Sequence, residues 1–240
     1  MKQSFSVYSN ILEILTVFAE SIFSDNKFSN YERLIYEAEE KYHPNNPPDS
    51  HLTLSYFNQW YLFDLKVEGK TLAELFSLIS SDYLEDTDTN SESFKMVKSI
   101  TSVISKTRMG IYEYMGMSDE LVILKELLTD IESRVVHVST KRGEKGDLWF
   151  ARILPPFVKE DTHLVTTTPY ILKDVKKEDC IEYFKKNGID RRNIGFEDRL
   201  SNWMKYGPSI HYWNEFIFNS YNSHNDDFIF LTGLPKDGLA

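Results

Sequence analysis

The spacing of apolar residues changes twice along this chain, and only a mixed architecture accommodates both changes. Before residue 107 they recur every three or four positions. From Met109 to Thr168 they fall into short β-type runs, and after Tyr170 the helical spacing returns. This order predicts an α+β protein with a helical N-terminal part, a small antiparallel β-sheet or barrel, and C-terminal helices. The boundaries fall at residues 1–107, 108–175 and 176–240. With 240 residues there is enough chain for the three regions to share a substantial core.

In the first region Phe5, Tyr8, Ile11, Leu12, Leu15, Phe18, Ala19 and Ile22 form one stripe, predicting a helix over residues 4–24. Ser29 and Glu32 have capping-box spacing ahead of Tyr31, Leu34, Ile35, Ala38 and Tyr42. After the turn-rich Pro44–Ser50, helices are expected over 52–64 and from Thr71, where Thr71 and Glu74 repeat the capping-box spacing. Beyond the acidic stretch 82–93, Phe94, Val97, Ile100 and Ile104 predict a fifth helix. Strands are expected at 110–115, 121–127, 134–139, 148–153 and 163–168, although 121–128 also reads as helix. Three more helices follow: one ending at Gly188, one on Phe196, Leu200, Trp203 and Met204, and one on Ile210, Trp213, Ile217 and Tyr221. Residues 228–231 read as a final strand, and 236–240 as a frayed tail.

Composition narrows the function classes. A formal charge of −10, with most of the acid excess in residues 1–107, disfavours general adhesion to nucleic acid or anionic lipid. Cys180 is the only cysteine, which excludes an intramolecular disulfide and a thiolate zinc site and suits a reducing cytoplasm. Residues 11–23 are interrupted by Glu13, Thr16, Glu20 and Ser21, unlike a signal segment or spanning helix, so no membrane partner is expected.

The segments Phe57 to Asp64, Thr71 to Phe76, Leu127-Leu128-Thr129, Val135 to Val138 and Gly146 to Pro155 together resemble poorly characterised bacterial proteins that often carry a SEC-C zinc motif. The likeness spans roughly residues 50–160. In those relatives an aromatic helix ending in Asp precedes a small β region with a Gly-Asp-Leu-aliphatic-Ala-Arg strand. Here Asp130 stands where a Gly follows Leu-Leu-Thr in the relatives, and the cysteine-rich motif is absent. The resemblance therefore implies a shared scaffold and no zinc.

Candidate sites are few. Trp60 and Phe63 beside Asp64 fit an aromatic pocket with one charge, but core packing is the ordinary reading. A buried Asp64 needs a partner, and Arg152, also set in an apolar string, supplies the charge. The six histidines show no HExxH or HxH spacing, so no metal is expected. His211 and Glu215, four apart, suit acid–base chemistry or simple surface pairing. The acidic run from Asp82 to Glu92 lacks the EF-hand pattern and reads as solvated. Cys180 follows two lysines, which favours a thiolate, yet its register with Phe184 favours packing. Phosphate-cradle, dinucleotide and nucleophile-elbow strings are missing, so no cofactor is implied.

Three function classes remain. The leading expectation is a non-enzymatic module that binds another protein through an edge or groove of the β region. Exposed members of Trp203, Tyr206, Tyr212 and Trp213 would then act as anchors. The alternative is a small barrel that binds nucleic acid through Arg142, Lys145, Arg152 and neighbouring basic residues. An enzyme would instead require converging polar groups with shifted pKa values, such as Asp64, Arg152 or His211.

Overall fold

The computed structural model describes residues 29–42, 51–83, 107–136, 143–156 and 162–235, with single positions 9, 13 and 103 besides. Apart from those single positions, the helices expected over 4–24 and 94–104, the acidic residues 84–93 and the basic pair Lys141 and Arg142 lie outside the described residues.

Among the described residues three helices precede the sheet: α1 (Ser29–Tyr42), α2 (His51–Phe63) and α3 (Leu72–Tyr83). In α1 the buried positions Tyr31, Ile35, Ala38 and Tyr42 follow the helical spacing of its sequence. Tyr56, Phe57, Trp60, Leu62 and Phe63 are all buried, so most of the C-terminal half of α2 lies inside. A tight turn, with Val67 and Lys70 exchanging main-chain hydrogen bonds, reverses the chain into α3. The Tyr31 hydroxyl donates to the Lys70 carbonyl and so pins α1 to that turn. The expected capping box closes the start of α3: the Thr71 amide donates to Glu74 Oε2 at 2.8 Å, and the Glu74 amide to Thr71 Oγ1 at 3.2 Å.

Eight strands follow in one sheet: β1 (Met109–Ser118), β2 (Leu121–Glu126), β3 (Glu132–Val136), β4 (Leu148–Leu154), β5 (His163–Val165), β6 (Tyr170–Lys173), β7 (Tyr221–His224) and β8 (Ile229–Thr232). Between β6 and β7 come α4 (Lys177–Lys186), α5 (Phe196–Tyr206) and α6 (Tyr212–Asn219). The order β1-β2-β3-β5-β4, closed by a β4–β1 pairing, makes a five-stranded barrel. Its β3–β5 contact is parallel and its other seams are antiparallel, the connectivity of an OB-type barrel. Strand β4 is the hub. One edge pairs with β1, while the other gives Ile153 and Leu154 to β5 and Leu148 to Phe150 to β6, from which β8 and β7 extend the sheet.

Two details depart from the sequence expectation. The sheet is not wholly antiparallel, since β3–β5 and β6–β8 run parallel. Residues 221–224 form a strand rather than the end of a helix, and β8 brings the sheet across the boundary expected at 175. The apolar period of Ile210, Trp213 and Ile217 carries a sequence reading on to Tyr221, yet the helix stops at Asn219 and the polar Asn222-Ser223-His224 pairs with β8.

The sheet has two cores. Tyr112, Tyr114, Val122, Leu124, Val135, Trp149, Ala151, Ile153 and Val165 fill the barrel. On the other face, Met109, Ile111, Leu148, Phe150, Leu154, Tyr170 and Leu172 pack with residues of the described helices on both sides of the barrel in sequence, before β1 and after β6. Alternation along β4 makes this division: Trp149, Ala151 and Ile153 face the barrel while Leu148, Phe150, Arg152 and Leu154 face the helices.

Candidate functional site

Arg152 lies on the helix-facing side of β4, 1% exposed, and meets Asp64 just beyond the end of α2, 4% exposed. The expected partnership of these two residues is present, with Arg152 Nη2 donating to Asp64 Oδ2. Arg152 Nη1 also donates to the Thr107 carbonyl at 2.9 Å, and the guanidinium stands 5.5 Å from the Phe63 ring centroid. Asp64 Oδ1 and Arg152 Nε are buried without a hydrogen-bond partner among the described residues. Helix α2 is held to the sheet nearby, where Gln59 Nε2 donates to the Thr166 carbonyl at 2.5 Å and the Thr168 amide donates to Ser55 Oγ at 3.1 Å.

A third charge approaches this pair. Lys205 in the last turn of α5 is buried, and with Asp64, Lys66, Tyr206 and the turn 207–210 it lines a recess of about 320 Å³. Burial raises the Asp64 carboxyl above the usual range, opposed by the Arg152 and Lys205 charges. Burial also lowers the Lys205 amine, with Asp64 pulling it upward and Arg152 adding to the depression. His211 lies apart from the pair, its ring 5.7 Å from Trp60 and 5.9 Å from Tyr42. It caps the start of α6, so its four-residue spacing to Glu215 makes a main-chain contact, Glu215 amide to His211 carbonyl at 2.8 Å. The Glu215 carboxylate takes Lys41 at 2.7 Å instead.

A larger opening lies elsewhere. A cleft of about 1140 Å³ lies between α6, the segment 208–209 and the β7–β8 end of the sheet, with Tyr212, Phe216, Asn219, Tyr221 and Asn222 on its walls. Among the described residues β7 is the one strand paired on a single side. Asn225 and Phe228 are joined across the two-residue turn by an amide–carbonyl bond of 2.9 Å, and Ser223 is opposite Phe230. Antiparallel alternation then turns the main-chain groups of His224 toward the open side.

The sequence-selected residues separate into three groups. Trp60, Phe63 and Asp64 are core, as their ordinary reading required. Trp213 and Tyr212 are buried, while Trp203 and Tyr206 are half-buried, so no one of the four stands out as an exposed anchor. Trp213 Nε1 donates to the Trp203 carbonyl at 2.8 Å, and the Tyr183 and Tyr212 hydroxyls share a bond of 2.5 Å. Of the basic candidates, Lys145 is exposed in the turn before β4, whereas Arg152 is interior and lies on no surface patch. The Cys180 thiol is buried and its pKa is pushed up to about 12, the reverse of thiolate activation.

Lys205 and the β7 edge escaped the sequence reading. Lys205 adjoins the Phe196–Leu200–Trp203–Met204 stripe and looks like an ordinary flanking lysine, and a four-residue polar strand has no apolar alternation to read. Among the described residues no His, Cys, Asp and Glu side chains gather as a metal site, and no helix is long and apolar enough to cross a membrane. No protein-family model, curated protein or solved structure matches the chain.

Proposed function

We propose that this chain is a non-enzymatic binding module that receives an extended segment of another protein along β7. The observation that carries this reading is the coincidence of the open β7 edge with the broad cleft beside α6. Strand addition supplies main-chain hydrogen bonds, and pockets for alternate side chains supply selectivity. Tyr212, Phe216 and Tyr221 give the cleft apolar wall, while Asn219 and Asn222 offer side-chain amides at its exposed margin. The strand is short and has an irregularity between Tyr221 and Ser223, so side-chain contacts in the cleft must add to a brief main-chain pairing.

The test is selection from a random-peptide library on the full chain, followed by affinity measurement on His224→Pro and Asn219→Arg. His224→Pro removes an amide on the open side, and Asn219→Arg fills the cleft from an exposed position. The expected result is enrichment of extended peptides whose affinity falls about tenfold or more in both variants at unchanged melting temperature. Failure to enrich, or equal binding by the variants, overturns the reading.

Nucleic acid binding is the second reading, favoured by the OB-type connectivity alone. The strands β2 and β3 contain no aromatic residue, and Lys125 and Arg134 are paired with Asp130 and Asp119. Salt-sensitive binding of single-stranded oligonucleotides that disappears in Arg142→Glu/Lys145→Glu would put this reading first.

A further inference from the structure

Tyr206 and Gly207 separate the recess at Asp64 from a second one of about 460 Å³, and both residues line both recesses. The second is walled by Trp203, Arg199, Asn187 and Asn202. We infer that the two recesses act as one site for a small ligand that joins a planar ring to an anionic group, phosphate or carboxylate. The anionic end belongs at Lys66 and Lys205, and the ring belongs beside Trp203 and Tyr206.

Charge favours that orientation. Lys66 and Lys205 line the first recess; Asp64 beside them already carries an ion pair with Arg152, and Glu74 acts on Lys205 without lining the recess. Lys205 is built into the wall rather than standing on the surface, so its ammonium acts in a poorly hydrated setting where its attraction for an anion is stronger. The C-terminal dipole of α5 offsets part of this charge. Of the last-turn carbonyls, that of Trp203 accepts both the Gly207 amide and Trp213 Nε1 at 2.8 Å.

The second recess has the complementary chemistry. Trp203 is half-buried and its indole N–H donates to the Tyr183 hydroxyl at 3.3 Å, which fixes the ring plane at the recess. Lys66 Nζ lies 4.3 Å from the Tyr206 ring centroid, placing cation and aromatic wall side by side. Asn187 Nδ2 is spent on the Tyr183 carbonyl at 2.9 Å, leaving its oxygen as the acceptor, while the exposed Asn202 provides both donor and acceptor. Aromatic walls with a few placed polar groups are the usual composition of small-molecule sites, and each recess reaches the lower end of their size range.

The experiment is calorimetric titration of the full chain with four probes: adenosine monophosphate, indole-3-acetate, adenosine and inorganic phosphate. The two bifunctional probes distinguish phosphate from carboxylate. At least one should bind saturably, about tenfold tighter than adenosine or phosphate. That binding should weaken about tenfold in both Lys66→Ala and Asn202→Ala, which alter exposed residues at opposite ends of the site. No binding by either bifunctional probe, equal binding by phosphate alone, or indifference to either substitution overturns the proposal. Peptide binding at β7 is read separately and should not change in Lys66→Ala, so the two proposals fail independently.

Discussion

The inside of the barrel and the layer between barrel and helices are both closed to solvent, yet they are built differently. Inside the barrel the alternating residues are aliphatic or aromatic, and Arg108 and Glu126 pair at 2.6 Å with both side chains still partly exposed. The helix layer holds Arg152 and Asp64 in its depth, with buried Lys205 and Asn214 in the same half of the molecule. Apolar packing tolerates substitution that keeps volume, whereas a buried ion pair accepts only its partner. The barrel can therefore close on pattern alone, while the seating of α2 on β4 buries two charges that must be kept together or replaced together.

The sharpest way to break this contrast is to remove one member of the pair. Asp64→Ala leaves Arg152 charged and buried, and should lower unfolding free energy by about 3–5 kcal/mol in urea titration. The double variant Asp64→Leu/Arg152→Met should recover most of that loss, because the penalty belongs to the orphaned charge rather than to the missing attraction. If the double variant is as unstable as the single one, the pair does more than satisfy itself, and the layer is not the replaceable half of the comparison.

Leu124→Ala provides the barrel's side of the comparison. Leu124 is fully buried opposite Tyr114, and truncation should cost about 2–5 kcal/mol, set by how far the barrel collapses around the cavity. A conservative Leu124→Met should cost less than about 1.5 kcal/mol. Asp64→Asn, equally conservative in shape, should cost more than Leu124→Met, since it leaves the guanidinium without a counter-charge. Matching losses for the two conservative changes would erase the distinction between the cores.

The same distinction explains what was legible in the sequence. Most described helices and the five barrel strands have periods carried by their own apolar residues, as in Tyr31, Ile35, Ala38 and Tyr42. The Asp64–Arg152 partnership was legible because each charge interrupts an apolar string. The short strands β6 and β7 were not. Tyr170-Ile171-Leu172 is a continuous apolar run that gains its identity from β4 and β8 on either side, and β7 is polar and paired to β8. The burial of Trp213 has a related reason: it has the spacing of an amphipathic stripe, and spacing does not say that the stripe meets Phe150 at 5.2 Å.

A smaller effect tests whether helix ends matter as much as the buried layer. Thr71→Ala removes the hydroxyl that accepts the Glu74 amide and should cost about 1 kcal/mol. Thr71→Ser keeps the acceptor and should retain most of the stability. If alanine and serine cost the same, the contribution of Thr71 is burial of its methyl group, and the start of α3 then behaves like the apolar barrel core.

The smallest expected effect is a slope rather than a loss. His211 faces Trp60 on α2, Tyr42, Lys41 and Glu37 on α1, and Glu215 on α6. Burial and the Lys41 charge lower its pKa below 6.5, outweighing Glu215 and Glu37, and its Nδ1 is buried without a hydrogen-bond partner among the described residues. Between the depressed folded value and 6.5 the unfolded chain binds more protons, so His211 withdraws stability as pH falls through 6.5. That withdrawal stops once the pH is below the folded value. Urea midpoints measured from about pH 7.5 to about pH 5.5 should therefore fall less steeply in His211→Gln than in the wild type, the difference cancelling the other histidines. Identical slopes would mean that the imidazole takes its proton as readily folded as unfolded, and that the helix layer shelters its charges only at Asp64, Arg152 and Lys205.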